Sequence, residues 1–322
     1  MISKITCAGL TDRGLVRQEN QDRWAADAEL GLFLVSDGIG GGLAGALAAR
    51  IVAEALPPLL RACMHDPSGI EHPLTPATRV ERAIAALSDQ VRTESKGQPG
   101  LDGMGATVVL ALVHDPHAII AHLGDSRAYL VRNARIEQLT KDHSIVQLLI
   151  DNGEIRPEQA AEYPERGRLT RYVGTDGEAL PEARAVELCP GDQLLLCSDG
   201  LSGMVCDAEL LSILHQAPSP EAACRDLIAA ANAAGGRDNS TAVVIRLAAT
   251  EPATNGKCAE TPTVRDVEQP QPAMDWTLGG RSQSLDRSDH CARADDESAG
   301  RSRRCRKRRR RRTQCGQCGT SF

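Results

Sequence analysis

Aromatic side chains are almost missing from this chain, with two Trp, three Tyr and two Phe among 322 residues. The core must then be built from Leu, Val, Ile and Ala, and the lack of stacking platforms speaks against a reader of single-stranded nucleic acid. Long apolar runs are also scarce. The longest, Leu43 to Leu60, is interrupted by Arg50, Glu54 and a Pro57-Pro58 pair, which argues against a membrane span. The first residues, MISKITCAGLTDRGL, lack the apolar segment of a secretory signal, so a cytoplasmic location is expected. Close-spaced cysteines are absent from the first 249 residues: Cys7, Cys63, Cys189, Cys197, Cys206 and Cys224 match no zinc ribbon and read as free thiols of a reducing compartment.

What is present changes abruptly near residue 250. Hydrophobic patterning is steady up to Leu247 and vanishes beyond it, which predicts one domain over 1–249 and a disordered tail over 250–322. Charge divides the same way. The tail holds 15 Lys and Arg against 10 Asp and Glu, leaving −11 for residues 1–249 out of the chain's net −6. An acidic domain suits cation binding better than polyanion binding, although solubility alone explains the sign equally well.

β-Branched and alternating runs predict strands at Leu32–Val35, Thr107–Val113, Ala118–His122, Ala128–Arg132, Val186–Leu188, Gln193–Cys197 and Thr241–Leu247. Short connections at 114–117, 132–135 and 190–192 predict antiparallel hairpins. Helical periodicity marks Leu43–Leu56, Ala77–Thr93, Ser144–Asn152 and Pro220–Ala234, the last with Pro at its start and Gly235-Gly236 past its end. Hairpins interrupted by a few helices predict an α+β fold of packed antiparallel sheets with helices outside. Residues 152–180, rich in charge, Gly and Pro, read as a long surface insertion.

Five aspartates stand where strand-like runs break into glycine-rich or polar turns: Asp22, Asp37, Asp125, Asp199 and Asp238. Oxygen ligands without neighbouring His or Cys select Mg²⁺ or Mn²⁺ over Zn²⁺ or copper. SDGIGGG at 36–42 has neither the Walker lysine nor the Rossmann spacing, which leaves a plain strand-to-helix turn or a carboxylate paired with the unhindered Gly38 carbonyl. The same SDG recurs at 198–200. Taken singly, Asp125 is accounted for by a tight turn and Asp238 by an Asx-turn. Arg17, five residues before Asp22, offers a planar fork that matches phosphate oxygens, although lone surface arginines are common.

In order along the chain, TDRGLVRQENQD, LFLVSDGIGG, GMGATVVLAL, AHLGDSRAYL, LTKDHS, LTRYVG, PGDQLLLCSDGL and GRDNSTAVVI resemble the metal-dependent Ser/Thr protein phosphatases of the type 2C class, in their bacterial branch. The likeness runs from about Thr6 to Leu247. It implies an αββα four-layer sandwich of two antiparallel sheets flanked by helices, with the metal site at one end. It further implies that Asp37 bridges two metals and that Asp199 and Asp238 complete the first ion. Gly38, through its carbonyl, and Asp22 would hold the second. Asp125 would hold a third, weaker ion with Asp199, and Arg17 would grip the substrate phosphate. The activity implied is hydrolysis of phosphoserine and phosphothreonine by a water that Mn²⁺ or Mg²⁺ activates, opposing a Ser/Thr protein kinase. No nucleophilic cysteine is needed, and the Cys-x5-Arg signature of cysteine phosphatases is not found near a fitting loop.

Ile39 stands where larger relatives often carry His, Ala46 where many have an acidic residue, and Tyr172-Val173 replaces a commoner Ala-Leu; none of these removes a ligand. Residues 152–180 correspond to the family's flap. His143 reads as a structural hydrogen-bonding residue and His122 as a half-buried strand residue. A scaffold that sequesters phosphoproteins without turnover would be favoured by loss of a metal aspartate, and none is lost. Residues 301–312 contain ten Lys or Arg in twelve positions. Such a run suits nucleic acid, an anionic membrane surface or an acidic partner protein, and equally a solvated, self-repelling tail.

Overall fold

The computed structural model describes residues 2–40, 43–65 and 74–249, so the expectations for the 250–322 tail lie outside the described residues. In chain order the elements are β1 (Ile2–Asp12), β2 (Arg23–Asp27), β3 (Leu32–Ser36), β4 (Gly38–Ile39), α1 (Leu43–His65), α2 (Pro76–Ser95), β5 (Gly105–Ala106) and β6 (Val108–His114). There follow β7 (His117–Leu123), β8 (Arg127–Arg132), β9 (Arg135–Gln138), α3 (Ile145–Asp151), a 3₁₀ turn (Pro157–Glu162), β10 (Glu182–Glu187), β11 (Gln193–Cys197), α4 (Asp199–Ser202), α5 (Asp207–Gln216), α6 (Pro220–Ala233) and β12 (Ser240–Ala249).

Two five-stranded antiparallel sheets carry the fold, one ordered β1-β12-β11-β8-β9 and the other β10-β7-β6-β3-β2. Strand alternation builds three apolar layers. Along β3, Leu32 and Leu34 face α1 and α2 while Phe33 and Val35 face the opposite sheet, so the strand is buried on both sides. On β11, Leu194 and Leu196 join that central layer and Leu195 and Cys197 turn to α5 and α6. The order helix, sheet, sheet, helix is the α+β sandwich that the pattern predicts.

Tertiary packing changes several local expectations. Helical periodicity predicts an end at Leu56, but α1 runs to His65 through Pro57 and Pro58. Each proline forfeits an intrahelical N–H, but Leu56 and Leu60 are fully buried in the cluster that holds Val80, Ile84 and Leu87 of α2, and that burial outweighs the missing bonds. Among the described residues α1 alone is long and apolar enough to cross a bilayer, yet its Ala48, Val52, Leu56 and Leu60 face is core. The β1 strand has no clean apolar alternation to predict it. It forms because β12 supplies a partner from Asp12↔Ser240 to Ile2↔Ala249, and Gly9 leaves room for the Trp24 ring, which a Cβ there would overlap. Periodicity does not single out α5 either.

Of the three connections expected as hairpins, two are hairpins and one differs in kind. The 114–117 turn joins β6 and β7 within one sheet, and Asn133 and Ala134, both at positive φ, join β8 and β9. The 190–192 turn instead carries the chain from β10 in one sheet to β11 in the other. Asp192, 1% exposed, pins it by accepting two bonds from Arg132 (2.9 and 2.6 Å) and one from the Cys189 amide.

Candidate active site

Antiparallel pairing brings all five aspartates to one end of the sandwich. Cys197 pairs with both Arg127 and Ala242, so the turns holding Asp199, Asp125 and Asp238 share an edge of the first sheet. Arg23 pairs with Ser36, which sets Asp22 beside Asp37 on the second. Asp125 lies in the turn from β7 to β8, where the chain changes sheets, and so sits between the two edges.

Close glycines tighten the cluster. A Cβ on Gly200 would lie 1.9 Å from the Asn239 carbonyl oxygen, so only glycine lets the Asp199 turn press against Asp238 and Asn239. A Cβ on Gly38 would meet the Gly45 carbonyl oxygen at 2.2 Å and that of Gln21 at 2.9 Å, which keeps Asp37 against the start of α1 and the Asp22 segment.

The carboxylates strain against one another. Burial first, then the charges of Asp22, Asp199 and Asp125, push Asp37 well above the usual carboxylate range. Asp125 and Asp199 are raised by burial and by neighbouring carboxylates. Burial raises Asp22 to about 6, although the hydroxyls of Ser198 and Thr241 donate to its Oδ2 at 2.6 and 2.7 Å and pull the other way. Two buried carboxylate oxygens, Asp22 Oδ1 and Asp199 Oδ1, meet no donor among the described residues. Crowded oxygen donors that no protein hydrogen satisfies fit hard divalent cations, which would neutralise them.

At the rim, the Arg17 Nη2 donates to Asp238 Oδ2 at 2.6 Å. Arg17 therefore stands beside the aspartates, with one donor engaged by a carboxylate of the cluster.

The residues that hold this arrangement lie inside the quoted segments, but the sequence reading gives none of them a role. Asn239 donates through Nδ2 to the Arg13 and Glu19 carbonyls, each at 2.9 Å, and its Oδ1 accepts the Gln21 amide at 2.8 Å, so one side chain fixes the loop bearing Arg17 and Asp22. Thr107 Oγ1 accepts the Asp37 amide at 2.9 Å and shares a hydrogen with Ser126 Oγ at 2.7 Å. The available signal is the run of small polar residues beside each aspartate, Ser198 in CSDG and Asn239 and Thr241 in RDNST.

A second group, His122, His143 and Glu182, gathers one ligand-type atom from each within 4.8 Å. His143 Nδ1 accepts the Gly124 amide at 3.2 Å, leaving the ring proton on Nε2, 3.2 Å from Glu182 Oε1. Arg171 also donates to Glu182 Oε1 at 3.1 Å. The Nε2–Oε1 approach lacks hydrogen-bond alignment, so Nε2 is buried without a hydrogen-bond partner among the described residues, but with its proton there the imidazole turns no lone pair toward Glu182, and the group offers no converging lone pairs to a metal.

A family profile described as protein phosphatase 2C matches residues 13–234. The serine/threonine protein phosphatase PstP of Mycobacterium tuberculosis is 37% identical over 237 residues, which are 74% of this chain and 44% of that protein, so the chain spans less than half of that relative. The serine/threonine phosphatase stp of Listeria innocua is 32% identical over 238 residues, 73% of this chain and 93% of that protein. The crystal structure of the PstP catalytic domain in complex with two manganese ions superposes with a TM-score of 0.66 at 34% identity, over 76% of this chain and 99% of that one. Staphylococcus aureus Stp1 gives a TM-score of 0.67 at 29% identity, over 77% and 97%.

Proposed function

Because the chain belongs to the protein phosphatase 2C family, whose members use divalent metals, we propose that it hydrolyses phosphoserine and phosphothreonine in proteins, opposing a Ser/Thr protein kinase. The observation that carries this reading is the trio Asp22, Asp37 and Asp199, mutually repelling and with two oxygens lacking any donor, set beside an exposed arginine.

In this reading Asp37, Asp199 and Asp238 would hold one cation, Mn²⁺ or Mg²⁺, and Asp37, Asp22 and the Gly38 carbonyl would hold a second; Asp125 with Asp199 would take a third. Bound there, the cations would supply positive charge to the phosphoryl group and acidify a water. The chain's own residues do the positioning. Arg17 turns its fork from Asp238 toward phosphate oxygens and fixes the orientation of the phosphoryl group. Ser198 and Thr241 hold Asp22 Oδ2 and leave Oδ1 buried and free to take a cation. Thr107 fixes the Asp37 backbone.

We assign the catalytic domain to residues 1–249, place the protein in the cytoplasm, and give the Arg-rich 301–312 segment the role of binding an acidic partner or nucleic acid. The test is hydrolysis of phosphoserine, phosphothreonine and phosphotyrosine peptides with and without Mn²⁺ or Mg²⁺. Release of phosphate from the first two, abolished by chelator, is expected. Turnover indifferent to chelator would reject the reading.

A further inference from the structure

His143 occupies a junction that the proposed chemistry does not use. It is 3% exposed and joins two separate pieces of the molecule. On one side it grips the turn that presents Asp125: the His143 amide donates to the Gly124 carbonyl at 3.0 Å, and the Gly124 amide donates back to His143 Nδ1 at 3.2 Å. Gly124, at φ +120°, is pressed on its other side against Thr107, the residue that holds Asp37. On the second side His143 anchors the insertion. Its carbonyl accepts the Thr170 amide at 2.8 Å, Ser144 bridges to Leu169, and the Ile145 amide donates to the Arg168 carbonyl at 2.8 Å.

The imidazole is itself held in one orientation. His122 stacks on it with ring centroids 4.4 Å apart, and His122 Nε2 is bound at the Lys141 carbonyl at 2.8 Å. Glu182 Oε1 lies 3.2 Å from its Nε2, a charge contact without hydrogen-bond alignment, and is in turn held by Arg171, which also donates to the Leu180 carbonyl. These contacts from the 168–182 side end on the ring or the backbone of the residue that clamps Gly124, or on its immediate neighbours.

We propose that His143 is a positioning residue that couples the placement of the 152–180 insertion to that of the Asp125 carboxylate, and so to the weakest of the cations in the reading above, on which this inference rests. The neutral ring, with its proton on Nε2, is required because only a bare Nδ1 can accept the Gly124 amide. When residues 168–171 shift, the pull on the His143 backbone and on Glu182 tilts the ring and releases the Asp125 turn. The insertion would thereby govern cation occupancy as well as substrate access.

The full chain is compared as wild type, His143→Asn, His143→Leu, Glu182→Gln and Asp125→Asn. Bound Mn²⁺ is counted by the electron paramagnetic resonance signal of the free ion, and hydrogen exchange is followed at Gly124 and at 168–171. Asn offers an oxygen where Nδ1 stood, and Leu offers no acceptor. The expected result is that His143→Leu weakens the last Mn²⁺ to bind by about tenfold or more, the range found when an outer partner of a ligand is removed. Protection should fall at Gly124 and at 168–171 together, while His143→Asn restores most of both. Glu182→Gln, which spares the Gly124 bond, should give the same changes more weakly, and His143→Leu should add nothing in the Asp125→Asn background. Wild-type Mn²⁺ affinity in both His143→Leu and Glu182→Gln overturns the coupling, as does a loss that Asn fails to rescue. Should His143→Leu not fold, Glu182→Gln alone decides. A wild-type chain that binds no Mn²⁺ would instead sink the metal-dependent reading itself.

Discussion

The Arg17 guanidinium donates to Asp238 Oδ2 at 2.6 Å and joins the loop after β1 to the turn before β12, 221 residues apart. The two side chains are 54% and 35% exposed, so the pair contributes little to stability, within about 1 kcal/mol. Arg17→Ala should therefore leave the melting temperature within a few degrees of wild type. It should raise KM for p-nitrophenyl phosphate and lower kcat/KM by about tenfold or more, the loss of a charged hydrogen bond to phosphate. An unchanged KM would remove Arg17 from the phosphate site.

Asp37 is crowded by Asp22, Asp199 and Asp125, so replacing it relieves repulsion where no cation neutralises it. In chelator, Asp37→Asn should melt higher than wild type. With saturating Mn²⁺ the order should reverse, because ligand at about 100 times its dissociation constant stabilises wild type by about 2.7 kcal/mol and the variant loses that gain. Hydrolysis of p-nitrophenyl phosphate should be abolished in Asp37→Asn and in Asp199→Asn. Retained turnover in either would reject the two-metal assignment.

Asn239 makes three hydrogen bonds to the backbone of residues 13–21 while 5% exposed. Asn239→Ala leaves those groups unpaired and should destabilise the domain by about 1–3 kcal/mol in urea unfolding. It should also raise KM, since the loop that carries Arg17 is released. A stability loss with KM intact would show that the loop holds its shape without this bracket.

Burial first, and then His122 and Arg171, hold His143 down at about 4, although Glu182 opposes the shift. Its unfolded value is about 6.5. Between those pH values the unfolded chain binds a proton that the folded chain does not, so stability present above pH ~6.5 is lost as pH falls toward ~4. The difference in unfolding free energy between wild type and His143→Asn should shrink on acidification, by at most about 3 kcal/mol over that window. A difference independent of pH would show that His143 titrates normally.

Deleting residues 251–322 should leave kcat and KM for a small aryl phosphate unchanged. All ten Lys and Arg of the 301–312 run go with this deletion, so binding to polyanions should be lost with a marked fall in salt dependence. A large drop in kcat would make the tail part of the catalytic domain.

Much of this carboxylate cluster is legible in the sequence, because charged residues at the ends of apolar runs leave a trace in single residues. Asp37, Asp125, Asp199 and Asp238 each end or begin an apolar run, and Arg17 and Asp22 share one short segment. Asn239, Thr107, Ser198 and Thr241 show at most as small polar residues near the aspartates, and nothing in the sequence gives their partners. Their worth lies in groups far along the chain, such as the Arg13 and Glu19 carbonyls for Asn239, and no local pattern encodes a partner more than 200 residues away.

The sequence by itself determined which carboxylates stand at element ends, the α+β class and the position of the strands buried on both faces, since composition and a period of two survive without neighbours. Tertiary structure decided the rest. β1 exists because β12 pairs with it, α1 crosses two prolines because α2 covers its apolar face, and the 190–192 turn changes sheets because Arg132 holds Asp192. In each case energy from contacts distant in sequence outweighed a local preference of a few kcal/mol or less.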